Sequence, residues 1–108
     1  MFKIIDISGD DIRLDDRSVS DMITTACRRA GVYIEGIAVL NDRIALICSQ
    51  NDSGCSYSYH LTRLPEAGFE QLAAELRSRY DNHFRTVGAF ELADALWTLT
   101  EKNMFEDA

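Results

Sequence analysis

Apolar positions along the chain change period several times, and each change marks an element. Residues 2–7, Phe-Lys-Ile-Ile-Asp-Ile, predict a short strand that ends at Ser8-Gly9-Asp10-Asp11. Residues 8–17 form a polar, acidic connection in which Ile12 and Leu14 are expected to tuck onto the core. From Ser18 the period lengthens: Val19, Ile23, Ala26 and Ala30 share one helical face, with Met22 beside them. Ser18 and Asp21 have capping-box spacing, with Asp in place of the usual Glu, and Gly31 stands where a left-handed residue closes a helix. A helix over 18–30 follows.

Residues 32–40 and 43–49 are rich in strand formers and flank Asn41-Asp42, which predicts a tight hairpin. Both of its faces carry apolar residues, so the hairpin is expected to lie centrally in the sheet. Gln50 to Gly54 reads as a turn. Residues 55–63 then alternate, with Tyr57, Tyr59 and Leu61 pointing one way and Ser56, Ser58, His60 and Thr62 the other. Pro65 is placed to open a second helix with an apolar stripe of Phe69, Leu72, Ala73, Leu76 and Tyr80. Glu75 and Arg79 make an i,i+4 pair on it. Residues 84–92 and 95–101 predict a second hairpin turning at Ala93-Asp94, and Lys102 to Ala108 a short helical turn or tail.

The order strand, helix, strand, strand thus occurs twice. The hairpins align without a gap 52 residues apart, pairing Gly36 with Gly88, Leu40 with Leu92, Asp42 with Asp94 and Asn51 with Asn103. The helices align 53 apart, Val19 with Leu72, Ile23 with Leu76 and Cys27 with Tyr80. The expected fold class is α+β: two tandem strand–helix–strand–strand repeats forming about six strands of largely antiparallel sheet, with two helices packed on it. One domain, 1–108, contains pseudo-repeat halves of about 1–51 and 55–103 and a tail at 104–108. Two-residue turns would place Ala38 opposite Ala45 and Phe90 opposite Trp97, a slot that is small in one half and aromatic in the other.

Charge narrows the partners. Eighteen acidic residues against eleven basic ones give a net charge of −7. Nucleic acid and anionic membranes are polyanions that attract clustered Lys and Arg. Here the dense basic positions, Arg28-Arg29 and Arg77 with Arg79, sit near helix C-termini, where cations favour the dipole. Neither nucleic acid nor membrane is an expected partner, whereas a basic protein surface fits. No apolar run approaches the ~20 residues that span a bilayer, and an acidic residue at position 6 interrupts any signal-peptide stretch, so a cytoplasmic location is expected. Cys27, Cys48 and Cys55 are then expected as reduced thiols.

Candidate chemistry is sparse. His60 and His83, the two histidines, have no H-x-x-x-H or cysteine spacing around them, so no metal is expected. Cys55 and His60 have opposite parity on one strand, which separates them as a dyad. Cys48 and Cys55 flank a turn and could face each other across a hairpin. The carboxylates Asp10, Asp11, Asp15 and Asp16 read as a solvated acidic loop at a helix N-terminus. With no Gly-rich phosphate loop, no cofactor is expected. Tyr57, Tyr59 and His60 are the candidate interface residues, on a strand expected near a sheet edge.

Element order carries two resemblances. Duplicated strand–helix–strand–strand modules resemble small-molecule-binding proteins of the gyrase-inhibitor type, which hold a ligand between their halves, often against an acidic residue. That resemblance makes Tyr33, Glu35, Glu91 and Trp97 the candidate ligand-binding residues. The stretch from residue 18 onward, helix, three strands, helix, two strands, resembles type III secretion chaperones, which are small, acidic, dimeric and non-enzymatic. The expected function is a non-enzymatic protein–protein interaction or chaperone-like module, a homodimer, with no catalytic residues. The alternative is a small-molecule-binding protein with a cleft between the halves.

Overall fold

A computed structural model describes residues 2–12 and 15–104. Among the described residues six strands form two three-stranded antiparallel sheets, accompanied by three helices, which is the α+β class expected. β1 (Phe2–Ser8) leads through a short α1 (Gly9–Ile12) into α2 (Asp16–Ala30), and the hairpin β2 (Val32–Leu40) and β3 (Arg43–Gln50) follows. The second half runs β4 (Tyr57–Leu64), α3 (Phe69–Asp81), β5 (Phe84–Leu92) and β6 (Ala95–Asn103). Sheet A has the order β1-β3-β2 and sheet B the order β4-β6-β5, so each half centres on its last strand. The halves share a topology; no common ancestry is inferred from it.

Both hairpins have the register that a two-residue turn dictates, with Ala38 opposite Ala45 and Phe90 opposite Trp97. Asn41, Ala93 and Asp94 take the positive φ that such turns need. β2 is bulged between Ile34 and Gly36, and β5 between Thr86 and Gly88. A bulge twists and bends its strand, and the two bulged strands meet. A Cβ added to Gly88 would stand 3.0 Å from Ile37 Cδ1, so the glycine makes room for the sheet-to-sheet contact.

Several local expectations shift. α2 begins two residues before Ser18, and its cap is Asp15, whose carboxylate accepts from the Ser18 amide at 2.6 Å and from its hydroxyl. Asp15 takes the capping role expected of Ser18, and Ser18 stands three residues on, where Asp21 was expected, since either spacing satisfies the orphan amides of a first turn. Gly31 closes the helix in the left-handed region as expected, at φ 66°. Pro65 lies outside α3, which starts after Gly68. The β2–β3 hairpin is not central in a single sheet: β3 is central in sheet A and β2 is an edge. β3 and β4 belong to different sheets, so Cys48 and Cys55 do not face each other across a ladder, and no disulfide joins the three cysteines. Ile12 is buried as expected, whereas Leu14 and 105–108 lie outside the described residues.

The core lies between the inner face of sheet A (Ile7, Ile34, Ile44, Leu46, Cys48), the apolar face of α2 (Val19, Ile23, Cys27) and one face of sheet B (Tyr59, Leu61, Phe90, Trp97, Leu99). α2 belongs to the first half by sequence, yet it runs along β4 of the second. Two hydroxyls one turn apart explain the attachment. Ser20 Oγ accepts from the Leu61 amide at 2.8 Å, and Thr24 Oγ1 accepts from the Tyr59 amide at 3.0 Å and donates to the Tyr59 carbonyl at 3.4 Å. The open edge of β4 would otherwise bury unpaired amides. The helix supplies partners that a neighbouring strand would supply elsewhere.

α3 is held differently. None of its 13 residues is buried, and none joins the hydrophobic core. Beneath it the central strand presents Thr98 and Thr100, both fully buried, and Thr98 Oγ1 has no hydrogen-bond partner among the described residues. Arg79 ties the helix down, donating to Glu75 and to Thr62 Oγ1 at 3.0 Å each and lying 5.3 Å over the Phe84 ring.

Candidate functional site

Sheet B carries a buried polar network where its inner face meets sheet A. Tyr59 Oη donates to Glu101 Oε1 at 2.5 Å and accepts from the Ile34 amide at 2.9 Å. Arg85 donates through Nε and Nη2 to Glu101 Oε2, at 3.0 and 2.8 Å. Glu101 is only 5% exposed, and both its oxygens are engaged. Burial, reinforced by the hydrogen bond to Glu101, pushes the Tyr59 hydroxyl up from its ordinary pKa. The network links β4, β6, β5 and, through Ile34, the bulged stretch of β2. A carboxylate whose oxygens are already taken by a tyrosine and an arginine positions strands rather than substrates. Sequence reasoning missed Glu101 and Arg85. The signal was parity: Glu101 shares a face with Trp97 and Leu99, and Arg85 is its cross-strand partner.

The candidate ligand residues occupy separate places. Tyr33 donates to Glu35 Oε1 at 2.9 Å, which raises the tyrosine's pKa, while bonds from Ser49 and Tyr33 lower that of Glu35. Both lie early in β2, and the Tyr33 ring is 6.4 Å from that of Tyr57. Glu91 lies near the far end of β5, on an open groove of about 460 Å³ formed where the turns at Asn41-Asp42 and Ala93-Asp94 come together. Glu91 is six residues from Arg85, roughly 20 Å along a strand. Trp97 is buried and its indole N–H donates to the Leu92 carbonyl at 2.9 Å. The structure brings Tyr33 and Glu35 together and leaves Glu91 and Trp97 elsewhere.

Of the candidate interface residues, Tyr57 is half-buried, Tyr59 is buried in the network above, and His60 is half-buried on the outward face of β4. His60 stacks edge-on against Phe84, with centroids 4.9 Å apart, and shares a groove of about 440 Å³ with Asp16, Ser20, Asp21, Thr62 and Arg79. Burial lowers its pKa, Arg79 adds to the effect, and Asp21 opposes it. The core thiol of Cys27 is pushed up to about 12 by burial, and burial raises Cys48 as well, which makes both poor nucleophiles.

Exposed apolar side chains mark a different kind of surface. On sheet A, Phe2, Ile4 and Leu40 are 68, 54 and 65% exposed. Phe2 pairs with Ser49, Ile4 with Ile47, and Leu40 with Arg43, so all three stand on the face opposite the core. Gly36, Ala38, Ala45 and Ile47 complete it. The corresponding side of sheet B carries α3, and sheet A carries no helix there among the described residues. Asp6 and Arg43 form an ion pair on this face.

Among the described residues, no group of three or more His, Cys, Asp or Glu could hold a metal ion, and no helix is long and apolar enough to cross a membrane. Comparison with known proteins finds no matching family model, curated protein or solved structure.

Proposed function

We propose that this chain is a non-enzymatic, acidic, homodimeric protein–protein interaction module that holds a partner protein against the outward face of sheet A. The single observation that carries this reading is that face: three strands wide, carrying Phe2, Ile4, Ala38, Leu40, Ala45 and Ile47 around the Asp6–Arg43 ion pair, and without a helix on it among the described residues, with Phe2, Ile4 and Leu40 more than half exposed. A contiguous apolar surface of this kind is characteristic of a contact with another chain. Full burial of one such side chain contributes about 1.5–3 kcal/mol. The net charge of −7 favours a basic partner surface around the apolar contact.

Native mass spectrometry of gently isolated protein tests the reading. The expected result is the added mass of a different protein, beyond that of a second copy of this chain, which is lost in a Phe2→Ser, Ile4→Thr variant, whose substitutions touch only the outward face. A bound species of small-molecule mass, retained in that variant, would overturn the reading in favour of a ligand held between the halves.

A further inference from the structure

We infer that α3 is the seam of a symmetric dimer, in which the helix of one copy lies antiparallel against that of a second copy. The inference rests on the reading of the chain as an interaction module, and it names one partner and one surface. Phe69 is 91% exposed and Tyr80 76% exposed, at opposite ends of a helix that supplies nothing to the core. With Ala73 and Leu76 they fall within roughly 60° of one another at 3.6 residues per turn. Their spacing of four, three and four residues is that of a coiled-coil seam.

That spacing reads the same in both directions. A twofold axis between Ala73 and Leu76 places Phe69 of one copy against Tyr80 of the other, and Ala73 against Leu76, so each large side chain at the centre meets a small one. A parallel arrangement would set Phe69 on Phe69 and Tyr80 on Tyr80 and crowd both ends. A twofold contact of the first kind is isologous, the commonest in homo-oligomers.

Charge selects the same arrangement. Glu70 and Arg77 are exposed and stand side by side on the solvent edge of the seam, two turns apart. The antiparallel axis brings Glu70 of each copy beside Arg77 of the other, two opposite-charge pairs per dimer. Glu75 and Arg79 are not available for this role, because they pair with each other on the sheet side and Arg79 bonds Thr62.

Each aromatic ring at an interface covers roughly 150–250 Å², so the four rings supply roughly 600–1,000 Å². A standard interface starts near 1,200 Å² in total, and the remainder falls to Ala73, Leu76 and the exposed Thr86, Ala89 and Glu91 of β5 beside the helix.

Sedimentation velocity over a wide concentration range, on the full chain, tests this. The wild type should shift from monomer to dimer as concentration rises. Glu70→Arg alone, or Arg77→Glu alone, should weaken dimerisation by about tenfold or more, since each sets like charges face to face. The two changes together should restore it to within a few-fold, which a merely structural role for either residue does not predict. Circular dichroism of the exposed-site variants confirms that the fold is kept. A dimer indifferent to all three variants would overturn the α3 seam and leave the interaction reading standing. A chain that stays monomeric at every concentration would overturn self-association itself, while binding of a partner through sheet A would still be measured separately.

Discussion

Replacing Thr24 by Val keeps the shape of the side chain and removes one hydroxyl, and the structure says what that costs. Thr24 Oγ1 is the partner of the Tyr59 amide at 3.0 Å and also bonds the Tyr59 carbonyl, in a region where both residues are buried. β4 has β6 on its other side, so no strand can take over. Leaving a buried amide unpaired costs about 1–3 kcal/mol. The new methyl group recovers up to about 0.8 kcal/mol of apolar burial. The net expectation is a loss of roughly 0.2–2 kcal/mol, which for a chain of 108 residues is a fall in Tm of roughly 1–9 °C. Thr24→Ser, which keeps the hydroxyl, should lose no more than about 0.8 kcal/mol, the worth of one methyl group. Urea unfolding and thermal melts at one fixed protein concentration measure both, since dimerisation would otherwise shift the midpoint. A Thr24→Val protein as stable as the wild type, or more so, would show that water or a backbone shift satisfies the edge and that the helix hydroxyls do not hold β4.

Two further outcomes follow from burial. Of the three thiols, Cys55 should react rapidly with a disulfide reagent in the native protein, whereas Cys27, its pKa pushed up to about 12, and Cys48 should react only on unfolding. Fast labelling of two or more would contradict the packing of α2 on β3. His60 sets a pH dependence: its folded pKa is depressed by burial below the ordinary 6.5, so the unfolded chain binds the extra proton first. Stability should therefore fall as pH drops through 6.5 toward the folded value and rise to a plateau above it. His60→Gln should flatten that part of a stability-against-pH curve, and an unchanged slope would refute the assignment.

The parts of the fold that were legible in the sequence are those set by near neighbours. Two-residue links fixed both hairpin registers, and the alternation of Tyr57, Tyr59 and Leu61 marked the inner face of β4 because period two survives any choice of partner strand. Sheet membership depends on contacts between distant residues, so six strands read equally well as one sheet or two. The α2 cap lies three residues earlier than expected because Asp15 and Ser18 have the same capping spacing as Ser18 and Asp21. The candidate site suffered most. Tyr59 looked like an interface residue because its strand is expected near a sheet edge, and only the fold brings Glu101, itself held by Arg85, to its hydroxyl. The stripe on α3 was visible, yet the same stripe on α2 is buried. What separates them is the layer beneath: apolar side chains under α2, buried threonines under α3.

The attachment of α2 to β4 also bears on the order in which the chain matures. Residues 20 and 24 find their hydroxyl partners 41 and 35 positions later in the sequence. As the chain leaves the ribosome, the β2–β3 hairpin can close locally, but α2 lacks its hydrogen-bond partners on β4 until residues 57–64 have emerged. Closing so long a loop before its contacts are rewarded slows folding. The helix of the first half therefore gains these hydrogen bonds only when the second half is in place.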